Sequence, residues 1–247
     1  MVIYEYVMTD DTGFAPNPFY GICTLACCKP VIRRGVAKYL FEAVRKEIFN
    51  NVSMGDVWEL FFRLDPVCRE EFIKKQDIFI IGLAGRQLAG RSGGKVGQGD
   101  IVYIMRVTDI LTFDMYFESE IYKEKIPAGF DVAKFETGLE INDCGDNIYH
   151  GGELAVERAF HHIDGYCEAN KMHDLSGEYV LIADQDNFIY YGKEANADLD
   201  IGEKYSYRGQ KKYENPDGKL SALKEWFDGE KKGIFGFPID SRMEDFR

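Results

Sequence analysis

The sequence predicts an α+β fold: a strongly bent antiparallel sheet or small β-barrel flanked by helices, built as a single domain over residues 1–247. Three observations carry the prediction. Runs of β-branched and aromatic residues, 77–82 and 101–108 above all, are bounded by glycines as buried strands are. A block at 36–75 instead spaces its apolar residues by three and four. Strands and helices are grouped rather than strictly alternating, which favours α+β over a doubly wound sheet.

Taken in order, Val2 to Met8 alternates aromatic and β-branched residues and stops at a polar turn, which makes an opening strand. Residues 13–21 hold two prolines, two glycines and three of the chain's aromatics, so neither helix nor central strand accommodates them and a stiff loop is expected. In 36–75, Val36, Tyr39, Leu40, Ala43, Val44 and Ile48 mark the first of about three short helices, and Pro66 after Asp65 opens the last. Between the two buried strands lies a glycine-rich segment, 82–99, with Arg86, Arg91 and Lys95. Residues 112–117 suggest a short helix and 179–183 and 188–192 two more strands. Leu220 to Phe227 suggests a terminal helix within a tail of about 218–247.

Composition excludes some functions. The net charge of −12 argues against a broad duplex-binding face, since affinity for phosphates comes from lysine and arginine. Charge is uneven, however: residues 29–106 hold 14 basic against 9 acidic residues, and 109–203 hold 6 against 22. A local basic surface beside an acidic lobe is therefore expected. No run of about 18 apolar residues is present and the first residues lack a secretory pattern, so a membrane partner is not expected and a cytoplasmic location is. The six cysteines at 23, 27, 28, 68, 144 and 167 read as thiols, because the chain is neither small nor marked for secretion.

Several groups could carry chemistry. The glycine segment matches neither a phosphate loop nor a dinucleotide turn. A flexible loop with solvated arginines is the plainer reading, and closure on a phosphate through Arg86, Arg91 and backbone amides the sharper one. Cys23 and Cys27 lie near Lys29, Arg33 and Arg34, and neighbouring cations favour a thiolate, whereas buried structural thiols are the plainer reading. His161, His162, Cys167 and His173 cluster in sequence but follow no ligand spacing, so no metal is assigned. His150, in a polar turn before two glycines, is a candidate acid, base or hydrogen-bond donor.

The stretch from Asp11 to Phe19, followed by Gly21, Cys23 to Pro30, and then Ile32 and Arg33, resembles the second of the nucleotide-modification-associated domain families. Weaker echoes continue at 80–82, 101–113, 146–150, 180–182 and 191–192. The chain departs from the family pattern where the helical block of 36–75 intervenes before the glycine-bounded strand, an insertion that would add a partner surface or cover the site. The resemblance implies a context of DNA base modification or phage–host conflict, with no cofactor specified. It implies a nucleotide or modified base as ligand, including a base flipped from DNA or held in a single strand.

In that setting Asn17 and His150 would read a base edge and Phe14, Phe19 or Tyr20 would stack on it, while Arg33, Arg86, Arg91 or Arg106 meets phosphate. Asp11, Thr24, Lys29, Asn147 and Tyr149, from the matching stretches, complete the ligand-binding set. Two alternatives stand beside this reading: an enzyme on a free nucleotide with Cys23 or Cys27 as nucleophile and His150 moving protons, and an acidic decoy meeting a basic protein through 109–203.

Overall fold

The computed structural model describes residues 1–50, 52–129, 141–157, 168–195, 209–214 and 219–240. A six-stranded sheet has the order β10-β1-β3-β4-β9-β11, and a three-stranded sheet the order β2-β8-β5. In the first, β1 (Val2–Met8) runs parallel to β3 (Ile78–Ala84), which is antiparallel to β4 (Ile101–Arg106), and β4 to β9 (Phe188–Tyr190). The outer strands are β10 (Gln210–Glu214), antiparallel to β1, and β11 (Gly233–Ile234), parallel to β9. In the second, β8 (Tyr179–Ala183) lies between β2 (Cys23–Leu25) and β5 (Asp109–Thr112), and a two-stranded ribbon pairs β6 (Tyr149–His150) with β7 (Glu153–Leu154). The α+β class holds, with an open sheet that mixes parallel and antiparallel pairs.

The bend lies where the chain leaves β4 for β5. The Val107 amide still donates to Ile78 of the first sheet, and the next amide, Thr108, donates to Ile182 of the second, both at 2.8 Å. One strand path thus feeds both sheets and folds them onto one core. Val2, Tyr4, Tyr6 and Met8 of β1 point into it, as period-two alternation requires, with Cys23 and Leu25 of β2 and Leu181 and Ala183 of β8. The opposite face of the large sheet, with Ile3, Phe79, Ile81 and Ile104, is covered by Leu223 and Phe227 of the C-terminal helix (Lys219–Gly229).

Three helices cross from β1 to β3, as a parallel connection demands. The first, α1 (Pro30–Glu47), starts six residues before the onset read from periodicity, because Pro30 serves at its first turn. Helix α2 (Met54–Phe62) is capped by the Ser53 hydroxyl, and α3 (Pro66–Lys75) by Asp65 with Pro66 in its first turn. Trp58 of α2 packs edge-on against Phe41 of α1 and Tyr179 of β8, at 3.8 and 4.1 Å between ring centres. Within the expected glycine-rich loop a one-and-a-half-turn helix, α4 (Arg86–Arg91), forms directly after β3. Helix α5 (Phe113–Glu118) follows β5 with Thr112 as its cap.

Buried carboxylates make stability pH-dependent. Glu5 lies 2 % exposed on the face of β1 that the C-terminal helix covers, and burial pushes its pKa from 4.5 up to about 7 against the opposing pull of Tyr213 and Lys211. Folding therefore binds a proton between those values, and its stability falls as pH rises from about 4.5 to about 7. The expected result is a lower urea midpoint at pH 8 than at pH 5, with a smaller pH difference in Glu5→Gln. An equal difference in both proteins would remove Glu5 as a cause.

Candidate functional site

The C-terminal end of the parallel pair β1–β3 gathers the chain's most unusual polar groups. The strand register aligns Tyr6 of β1 with Gly82 of β3, Gly82 with Tyr103 of β4, and Tyr103 with Tyr190 of β9, a row across four strands. Because residue 82 has no side chain, the Tyr103 ring lies over it. An added Cβ would sit 2.3 Å from Tyr103 Cε1 and 2.6 Å from Met8 Sδ. The Tyr103 hydroxyl consequently reaches that of Tyr6, at 2.9 Å. Tyr190 donates to Asp11 Oδ1 at 2.6 Å. Cys23, from the facing sheet, is close enough to couple electrostatically with all three phenols.

Burial sets the protonation of this cluster. It pushes all three phenols above their ordinary range and the Cys23 thiol up to about 12, against the opposing pull of Lys125. Burial also raises Asp11 to about 6, against the hydrogen bonds from Tyr190 and the amides of Ile239 and Gly13. At neutral pH Cys23 is therefore a thiol and the tyrosines are hydroxyl donors.

Over the row stands Lys29, its Nζ 4.6 Å from the centre of the Tyr6 ring, where burial lowers its pKa despite Cys28 and Asp10. Its backbone is unusual: Cys28 and Lys29 both take left-handed conformations, φ 58° and 46°. Such a corner persists only where its surroundings fix it. Here Asp174 Oδ1 accepts from the Cys28 amide at 2.6 Å, and Arg33 Nε donates to the Cys28 carbonyl at 2.9 Å. Arg33 is fully buried and also donates to the carbonyls of Tyr179 (2.9 Å) and Asp174. Tyr149 secures the other oxygen of Asp174 at 2.9 Å. Arg33 and Tyr149 thus hold the corner that presents Lys29.

A second buried knot supports β2. The Lys125 ammonium donates to Asn17 Oδ1 (2.6 Å) and to the carbonyls of Asn17 (3.0 Å) and Ile22 (2.7 Å), and burial lowers its pKa to about 8. The Asn17 amide nitrogen donates to the Cys144 carbonyl, so this side chain is engaged on both ends. Thr24 and Tyr116 donate to the two oxygens of Asp146, at 2.6 and 2.8 Å. Asn147 donates to the carbonyls of Tyr116 and Tyr122. Phe14 and Phe19 are buried around Cys144, and Cys27 is buried beside Ala26 and Tyr149 in the core.

The remaining residues scatter. Arg91 clamps Asp240 through both carboxylate oxygens, at 2.7 and 2.8 Å, and reaches Asp10 at 3.0 Å. Arg86 is exposed at the start of α4, where the Gly85 amide ties the helix to the Met8 carbonyl at the end of β1. Arg106 lies at the far end of the sheet, paired with Asp77 and the Lys74 carbonyl. His150 is exposed, 3.0 Å from Glu118 and 5.0 Å from the Phe117 ring centre, and belongs to a separate two-stranded ribbon. His161, His162 and Cys167 lie outside the described residues. Among the described residues no three His, Cys, Asp or Glu side chains converge as metal ligands, and no helix is long and apolar enough to cross a membrane.

Of the sequence candidates, Asp11, Cys23 and Lys29 meet at this end of the sheet, with Arg91 and Arg86 at its margin. Tyr6, Tyr103, Tyr190, Asp174 and Lys125 were not singled out from the sequence. Gly82, read as the end of a strand, lies inside β3, where a glycine marks a close approach. No curated protein and no solved structure matches the chain. The model of the nucleotide modification associated domain 2 family matches residues 1–38 and 65–245, leaving out the end of α1 and all of α2, and the chain belongs to that family.

Proposed function

We propose that this protein binds a nucleotide or modified base at the C-terminal end of β1 and β3, in the service of nucleotide modification. The observation that carries the reading is the placement of Lys29, over-fixed in a strained corner and set upon Tyr6 at the mouth of the tyrosine row. Crevices outside the carboxyl ends of parallel strands are where open sheets accept ligands. Lys29 and the exposed Arg86 supply phosphate contacts, and the hydroxyls of the row with Asp11 supply donors and an acceptor for a base edge. Burial keeps the Cys23 thiol protonated, which favours binding over covalent catalysis through it.

Titrating mononucleotides, modified nucleotides and a short single-stranded DNA by calorimetry tests this. In Lys29→Ala the affinity of the ligand that binds should drop at least tenfold, for a charge-assisted contact of ~1.5–3 kcal/mol, whereas Lys29→Arg retains most of it. Unchanged affinity in Lys29→Ala would remove this mouth as the site, and a mass increment on Cys23 or Cys27 after incubation would support the enzyme reading instead.

A further inference from the structure

Every member of the tyrosine row is closed off from solvent, with Tyr6, Tyr103 and Tyr190 at most 1 % exposed. Ile239 is buried in the same cluster as the three tyrosines, and Ile234 packs against that cluster. From β11 the segment 233–240 runs along β9, with the Phe235 amide donating to the Tyr190 carbonyl at 2.8 Å and the Lys193 amide to the Phe237 carbonyl at 2.7 Å. It then lays Pro238 against Gly13, where an added Cβ would meet Pro238 Cγ at 2.8 Å. Its end binds Asp11 three ways: the Ile239 amide to Asp11 Oδ2 (2.9 Å), the Asp11 amide to Asp240 Oδ2 (2.9 Å), and the Asp240 amide to the Asp11 carbonyl (2.8 Å).

We propose that residues 235–240 form a displaceable strap over the tyrosine row, latched by the Arg91–Asp240 ion pair, whose release opens the proposed nucleotide site. This rests on the binding reading above and adds how ligand enters. The latch suits the task because solvent and salt reach it from the Arg91 side, where the side chain is 36 % exposed against 15 % for Asp240. Beneath it, Asp11 is shared between body and strap. Tyr190 holds Oδ1, while the strap occupies Oδ2 and the Asp11 amide, an acceptor and a donor side by side. Lifting the strap leaves that pair for a ligand that offers a donor and an acceptor of its own, such as the edge of a base.

The test needs no nucleotide, so its failure is separable from failure of the binding reading. Hydrogen exchange of the peptide holding residues 235–240 is followed in wild type, Arg91→Ala and the milder Asp240→Asn, together with thiol labelling of Cys23 and Cys27 located by mass spectrometry. Both variants should speed exchange in the strap and labelling of Cys23 at least tenfold, with α1 exchange and Cys27 labelling unchanged. The proposal is overturned if the strap stays as protected as in wild type. It is equally overturned if Cys27 and α1 lose protection in parallel with Cys23, because the ion pair would then support the whole fold and not a local opening.

Discussion

Replacing Arg33 by alanine is expected to destabilise the protein by ~3–5 kcal/mol, the range for removing one member of a buried charged network. Arg33 is fully buried, and its guanidinium serves the carbonyls of Cys28, Asp174 and Tyr179, which belong to three separate segments. Alanine takes the donor from all three acceptors at once and leaves a cavity where the guanidinium stood. Gly177 lies so near that a Cβ there would be 2.1 Å from Arg33 Cζ. The Cys28–Lys29 corner loses its support as well, so Lys29 leaves the Tyr6 ring. Arg33→Lys should recover only part of the loss, since a single ammonium cannot span the fork of a guanidinium. Urea unfolding of the three proteins checks this. A midpoint for Arg33→Ala near that of wild type would mean the carbonyls are satisfied some other way, and Arg33 would return as a candidate phosphate ligand.

The sequence made the local elements readable because their causes are local. Alternation in Val2–Met8, the apolar runs of β3 and β4, and the Asp65–Pro66 start of α3 each act within a few residues. The helices of 36–75 were legible as a change of period; α2 and the end of α1 fall outside the family match, whereas α3 lies within it. The site depends on pairings across the chain: Asn17 meets Lys125, 108 residues away, Thr24 meets Asp146 across 122, and Asp11 meets Ile239 across 228. One sequence does not encode which distant donor finds which acceptor in any readable pattern. An asparagine between two prolines has the same chemistry whether it reads an adenine or, as Asn17 does, binds an ammonium and a peptide carbonyl. Aromatic residues likewise serve as stacking platforms or as core, and burial, which places Phe14 and Phe19 in the core, is a property of the fold.

Gly82→Ala is the second large expected effect, and it separates the tyrosine row from an ordinary patch of core. The added methyl enters space held by the Tyr103 ring and by Met8 Sδ, inside the contact distance of both. Overpacking of ~1–3 kcal/mol and loss of the Tyr6–Tyr103 hydrogen bond, ~1 kcal/mol, together predict about 2–4 kcal/mol of destabilisation. Tyr103→Phe alone removes only the hydroxyl and should cost about 1 kcal/mol. If the clash is with the ring, Gly82→Ala combined with Tyr103→Leu should be less damaging than the sum of the two single changes, because the smaller side chain vacates what the methyl needs. Additive losses in guanidinium unfolding would place the strain of Gly82→Ala elsewhere, in the β-bulge where the β3–β4 register shifts between Gly82 and Leu83. In that case the glycine serves the bend of the strand, and the meeting of Tyr6 and Tyr103 is a by-product of it; sub-additive losses would make the glycine the device that lets two hydroxyls meet beneath Lys29.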